Sequence, residues 1–180
     1  MIGRLVRHLW HLWGNRRGAA VLELAFGISL LTPLIMGSAE LARFVMIQQK
    51  LERLAMTIGD LNARGDVLTP AQVSALFDAV PHVMEPFAFS PVGRVIVTEV
   101  TTVGYVYPRV AWQQTGGGTL SVASTLGAAG QNATLPAGFT MASNENVLFT
   151  EVYYDFVPFL LDGLLTARRI RMQSTYRPRM

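Results

Sequence analysis

The residue whose chemistry stands out is Glu23, the one charge in the apolar run AAVLELAFGISLLTPLIMGSA from Ala19 to Ala39. A carboxylate in hydrocarbon needs a cationic or hydrogen-bonding partner, and no Lys, Arg or His lies within a helical turn or two of it on the membrane side. Either the side chain snorkels to the headgroups one turn away, or a partner arrives from elsewhere. A cut after Gly18 would supply one. The new amino group on Ala19 would be cationic at neutral pH and about 6 Å along a helix axis from Glu23. In a bundle of staggered helices, that amine on one subunit can meet Glu23 of its neighbour.

Other reactive groups are sparse. There is no cysteine, so disulfide frameworks, thiolate metal sites and cysteine nucleophiles are all excluded. His8 and His11 sit at helical i, i+3 spacing, but two imidazoles fall short of a metal site. With Leu5, Leu9, Leu12, Trp10 and Trp13 they read better as an interfacial amphipathic stretch. His82 is the one histidine of the outer region, and no Gly-x-Ser-x-Gly elbow accompanies it. Gly116-Gly117-Gly118 lacks the Lys-Ser/Thr of a phosphate loop and reads as a flexible connection. Asn132-Ala133-Thr134 is a glycosylation acceptor by pattern only. Arg168, Arg169, Arg171, Arg177 and Arg179 crowd the C-terminus, where an alternating strand would present them as a solvated face or, alternatively, to an acidic partner. No catalytic residue, metal or cofactor is expected.

These residues are positioned by a hydrophobic chain, 51% apolar and 15% charged. Arg4, Arg7, Arg16 and Arg17 precede Gly18 and no acidic residue does, so the net charge of +3 belongs to the leader and the rest is close to neutral. That distribution gives no basic surface for nucleic acid. Ala19 to Ala39 at 1.5 Å per residue is long enough for a hydrocarbon core of about 30 Å. The arginines before it place the N-terminus in the cytoplasm by the positive-inside rule. A cleaved signal peptide ending at Gly37-Ser38-Ala39 is the competing reading, disfavoured by the length of the run and by the carboxylate inside it.

Phe44, Ile47, Leu51, Leu54, Ile58 and Leu61 continue an apolar seam at spacings of three and four. One helix from Ala19 to Arg64, closed by Gly65, is therefore expected, its seam packing on the protein's own sheet in preference to a coiled coil. Thr69-Pro70-Ala71-Gln72 carries an N-cap, a first-turn proline and a capping-box glutamine, opening a short helix to Val80 that Pro81 closes. Three stretches, Val92 to Tyr107, Asn146 to Phe156 and Thr166 to Tyr176, read as antiparallel strands. The Gly/Ala/Ser/Thr/Asn-rich stretch from Thr125 to Ala142 reads as a long, weakly structured connection. The fold class is α+β: one long N-terminal helix, then a domain with an antiparallel sheet. The organisation is a basic leader (1–18), a transmembrane helix (19–41), a helical stalk (42–65) and an outer α+β domain (66–180).

The junction Arg16-Arg17-Gly18-Ala19-Ala20-Val21-Leu22-Glu23 resembles a class III, type IV-like prepilin processing site. Gly37-Ser38-Ala39-Glu40-Leu41-Ala42-Arg43 is similar to the closing Gly-x-x-Glu-(hydrophobic)-Gly/Ala-Arg element of TadE-like proteins (TadE/TadF), minor pseudopilins of the Tad (tight adherence) pilus system. Gly37, Glu40 and Arg43 lie 14, 17 and 20 residues after Glu23, the spacing of that family. Ser29 stands where the family carries a proline, and Pro33 follows one turn later, which moves the expected kink by a turn. The resemblance covers residues 17–43. The Val/Tyr-rich stretch Glu151 to Pro158 and the closing Arg177-Pro178-Arg179 add softer likeness.

The resemblance implies a pilin-like domain, cleavage between Gly18 and Ala19 by an inner-membrane prepilin peptidase, and a role for Glu23 in pairing helices during assembly. Its implied partners are the inner membrane, other pilins and pseudopilins, and the pilus assembly platform. Two functions fit these residues: a structural pseudopilin of a pilus or secretion apparatus, and, alternatively, a membrane-anchored periplasmic enzyme or binding domain. A convergent polar pocket around His82 would favour the second.

Overall fold

A computed structural model describes residues 16–63, 70–159 and 166–177. The leader with His8 and His11, the Gly65 stop, the Thr69 cap, and Pro178 and Arg179 lie outside them. Helix α1, Arg16–Ala63, runs 48 residues without interruption through Pro33. Its apolar half is long enough to cross a membrane, and none of its most apolar 18-residue window is buried. A core helix of a soluble protein would be mostly covered, so the exposure fits a single-pass anchor. Within this run Ser29 Oγ donates to the Ala25 carbonyl at 2.8 Å and Ser38 Oγ to that of Ile35 at 2.9 Å. Their hydroxyls thus stay satisfied without water.

The second half of α1 is the spine of an α+β domain. Helix α2, Pro70–Met84, follows, then strands β1 (Gly93–Thr101), β2 (Arg109–Gly116), β3 (Asn146–Phe156) and β4 (Arg168–Tyr176). They form one sheet in the order β2-β1-β3-β4, every neighbouring pair antiparallel. Period-2 alternation sorts the strand residues onto two faces. One face carries Val95, Val97, Val152, Tyr154, Phe156 and Ile170, packed against Ile47, Leu51, Leu54 and Ile58 of α1 and Val73, Phe77, Val80 and Met84 of α2. Against the other face, Val100, Val147 and Phe149 pack under Leu126, Leu135, Phe139 and Met141 of the β2–β3 connection. The sheet is therefore the middle of three layers.

The seam packs on the sheet as its spacing implies, with one change: Leu61 is exposed and Asn62 is buried. A strict seven-residue repeat drifts about 20° per heptad on a straight α-helix, so by the last turn the covered position has moved one residue on. Pro81 does not close α2; the helix runs to Met84. A proline costs a helix one N–H donor and crowds the carbonyl four residues back, which disfavours the helix without forbidding it where other contacts hold the turn. The extra turn is held by the burial of Met84 and by Lys50 Nζ, which donates to the Val83 carbonyl at 3.0 Å.

Val92 to Tyr107 is not one strand. β1 ends at Thr101, the chain turns through Gly104 (φ 73°), and an unforeseen strand β2 returns beside it. The glycine run that follows is a packed crossing and no flexible loop. A Cβ on Gly116 would stand 2.1 Å from the Phe77 ring, and one on Gly118 2.2 Å from the Gly93 carbonyl oxygen. The β2–β3 connection lacks regular structure as expected, yet it is pinned: Thr119 N donates to Ser90 O at 2.6 Å and Gln113 Nε2 to Gly127 O at 3.0 Å.

β4 runs beside α1 in the same direction. Ser174 Oγ donates to the Ala55 carbonyl at 2.6 Å, and a Cβ on Gly59 would lie 2.6 Å from the Tyr176 ring and 2.7 Å from Ser174 Oγ. On a free helix surface Gly→Ala gains about 1 kcal/mol. Gly59→Ala is instead expected to lower the stability of the outer domain by about 1–3 kcal/mol through overpacking, read from unfolding followed by near-UV circular dichroism in detergent. A rise in stability would show that β4 does not approach the helix this closely.

Candidate functional site

The motif residues Glu40 and Arg43 form the base of the outer domain. Helical i, i+3 spacing puts them on one face of α1. Glu40 is 0% exposed although it directly follows the apolar run. Arg43 Nη1 donates to Glu40 Oε1 at 2.9 Å and to the Val157 carbonyl at 3.1 Å, and the Phe159 N–H donates to Glu40 Oε2 at 3.1 Å. The two side chains therefore clasp the backbone where the chain leaves β3. Around them the Arg43 guanidinium lies 5.3 Å from the centre of the Phe156 ring, and Phe156 meets Phe44 edge-on at 5.0 Å. Arg168 covers Phe44 at 4.4 Å. Gly37 is half-buried one turn before Glu40.

Gly18, Ala19 and Glu23 lie elsewhere, on the exposed first turns of α1. Apart from its chain neighbours and its own helix backbone, no described atom comes within 4 Å of a Cβ placed on Gly18, so packing does not require that glycine. Among the described residues no hydrogen bond or ion pair reaches Glu23; it shares a shallow helix face with Ala20, Gly27 and Leu31. Neither Gly18 nor Glu23 is thus brought to Glu40 and Arg43.

A second buried carboxylate, unremarked in the sequence, lies on the opposite face of the sheet. Glu151 on β3 is fully buried and accepts hydrogen bonds from Ser124 Oγ, from Thr125 Oγ1 at 2.8 Å, from Tyr153 OH at 2.7 Å and from Arg171 Nε at 3.0 Å. Burial pushes its pKa up, but these donors outweigh burial and leave the carboxyl below its ordinary range. Burial and the neighbouring carboxylate push the Tyr153 phenol up to about 12. The site anchors the connection, through Ser124 and Thr125, to the sheet. Period-2 spacing of Glu151, Tyr153 and Asp155 against Arg169 and Arg171 was the available signal; what it lacked was the strand register.

The four C-terminal arginines among the described residues each have a partner within the chain. Arg169 grips Asp155 at 2.6 and 2.8 Å, Arg171 holds Glu151, Arg177 pairs with Glu145, and Arg168 stacks on Phe44. His82 is 80% exposed on the last turn of α2, and among the described residues its hydrogen bonding is to Glu85 at 3.3 Å. No group of three or more His, Asp or Glu among the described residues is placed to hold a metal ion.

Set beside protein-family models, curated proteins and solved structures, the chain matches none of them. The TadE-like resemblance therefore rests on the residues quoted from the sequence.

The clasp is asymmetric, since the Arg43 side chain is 32% exposed and that of Glu40 is not exposed at all. Arg43→Ala deprives a buried carboxylate of its cation and is expected to cost about 3–5 kcal/mol. Glu40→Ala leaves a guanidinium that water can reach and should cost about 1–3 kcal/mol. Denaturant unfolding of both variants and of the double variant checks the order, and a larger loss in Glu40→Ala would contradict it.

Glu151 generates a pH prediction. Its folded pKa lies below the ordinary 4.5, so its contribution to stability is present in full above that value and lost as pH falls through the folded pKa. Glu151→Gln should therefore be less stable than wild type at pH 7, with the gap closing as the pH falls below about 4.5. A gap independent of pH in thermal melts would exclude the charged form as the stabilising one.

Proposed function

We propose that the protein is a structural subunit of a Tad or type IV-like pilus or secretion apparatus, a minor pseudopilin anchored in the bacterial inner membrane. In this reading the N-terminus is cytoplasmic, the sheet domain is periplasmic, and the chain acts by assembly, without a catalytic group or cofactor of its own. The observation that carries the reading is the single helix Arg16–Ala63, its exposed apolar half entered through Arg-Arg-Gly-Ala and its other half packed on a four-stranded antiparallel sheet. A membrane anchor rigidly continuous with a folded head is what a subunit extracted from a bilayer into a helical bundle requires.

The quoted motifs give each residue a part. A prepilin peptidase cuts between Gly18 and Ala19, on the cytoplasmic side where the four arginines lie. The amine freed on Ala19 then meets Glu23 of a neighbouring subunit, an ion pair that gains strength in low dielectric. The open position of Glu23, with small Ala20 and Gly27 on the same face, supports helix-to-helix approach there. Glu40 and Arg43 hold the head on the anchor, so that force on one reaches the other.

Gly18→Leu should leave the full-length precursor in the membrane, and because a side chain at that position meets open space the effect reads processing, not folding. Glu23→Gln should be cut normally yet accumulate as unassembled subunit. A C-terminal reporter should locate to the periplasm. Intact mass of the membrane-extracted proteins decides: a wild-type chain starting at Met1 or Glu40, or normal assembly of Glu23→Gln, would sink the mechanism.

A further inference from the structure

The clasp leaves two apolar side chains uncovered at the base of the domain. Val157 is 58% exposed and Phe159 81% exposed, although the backbone of both is fixed, one by its carbonyl to Arg43 and the other by its N–H to Glu40. A lone exposed apolar residue is ordinary on a soluble domain. These two differ in where they are held. Glu40 is the first charge after the apolar run, and Met36 and Gly37, one turn below it, are already half-buried. The exit of β3 therefore lies level with the last apolar turn of α1. If that run spans hydrocarbon, this is the depth at which aromatic side chains partition between acyl chains and headgroups. The exposed Arg168, stacked on Phe44, and the half-exposed Arg43 occupy the same level, where cations meet lipid phosphates.

We infer that the exit of β3 is a membrane-contact element: Val157 and Phe159 insert into the interfacial zone of the bilayer that α1 spans, with Arg43 and Arg168 at its phosphates. The inference rests on reading α1 as a membrane anchor and goes beyond it, because a helix alone leaves the head free to tilt. A second contact beside the helix fixes the tilt and holds the base of the sheet on the lipid surface. It also gives the subunit a reason to resist leaving the membrane until this contact is replaced.

The absence of cysteine allows a direct test with the full chain. Single variants Leu30→Cys, Val157→Cys, Phe159→Cys and Val106→Cys carry a nitroxide label in vesicles of phosphatidylcholine and phosphatidylglycerol. Power saturation with oxygen and with a water-soluble nickel chelate then reports depth. Leu30 is exposed within the apolar run, and Val106 is 90% exposed on the β1–β2 hairpin at the opposite end of the sheet. Labels at positions 157 and 159 are expected to shift from the aqueous value of position 106 toward the lipid value of position 30. If both match position 106 while position 30 reads lipid, the inference fails and the anchor stands. An aqueous reading at position 30 overturns both. Shielding of 157 and 159 from both reagents would show a protein partner at this surface and overturn the lipid contact.

Discussion

A carboxylate fully buried at the end of an apolar helix has to be neutralised, and much of the architecture follows from how Glu40 achieves this. Arg43, one turn on, supplies the charge, while the same guanidinium nitrogen also donates to the Val157 carbonyl and the second oxygen of Glu40 accepts from the Phe159 N–H. That choice ties the end of β3, an inner strand of the sheet, to one level of α1. From there the antiparallel register leaves little freedom. β4 starts at the same level with Arg168 on Phe44 and climbs beside the helix to Ser174 on Ala55. Six strand residues rise about 20 Å and eleven helical residues about 17 Å. The two elements stay in step for that length, which is why the seam of α1 can be covered continuously.

The other face of the sheet solves a similar problem with different means. Glu151 faces away from both helices and is buried by a connection with no regular structure of its own. Ser124, Thr125, Tyr153 and Arg171 supply its hydrogen bonds, so the carboxylate fastens the connection to the sheet as it is neutralised. The apolar cluster of Leu126, Phe139 and Phe149, its rings edge-on at 5.3 Å, completes the attachment. Two buried acids thus hold the outer two layers to the middle one, each by an arginine reaching it within a few residues or from the adjacent strand.

Periodicity made the elements of this fold legible where it was sustained. The α1 seam, β3 and β4 repeat their pattern long enough to be read, and the sheet direction followed. β2 escaped because it is an edge strand whose residues 113–115 are Gln, Gln and Thr. A bulge where Glu99 and Val100 pair with Trp112 and Val110 also breaks its alternation at Ala111. The packed role of Gly116 to Gly118 depends on Phe77 and the Gly93 carbonyl, partners that no local pattern announces. Glu40 and Arg43 were visible as a motif, but their work depends on a backbone segment more than a hundred residues away. The reason for their spacing is therefore tertiary and lay outside the reach of a linear reading.

Among the described residues no hydrogen bond or ion pair reaches Glu23. It precedes Glu40 by 17 residues, and at 100° per residue the two point about 100° apart around the helix. The sheet and the clasp follow the stripe of Glu40, Ile47 and Leu51. Glu23 is thus offset from the side on which the head is mounted, on a face where Ala20 and Gly27 leave room. Had the two acids shared one face, a second helix approaching Glu23 would come up beneath the head of its own partner. With the faces separated, helices can pair through the apolar run while the heads remain seated on their own anchors. The proposed assembly needs that separation, and the spacing of the two glutamates along one helix is sufficient to provide it.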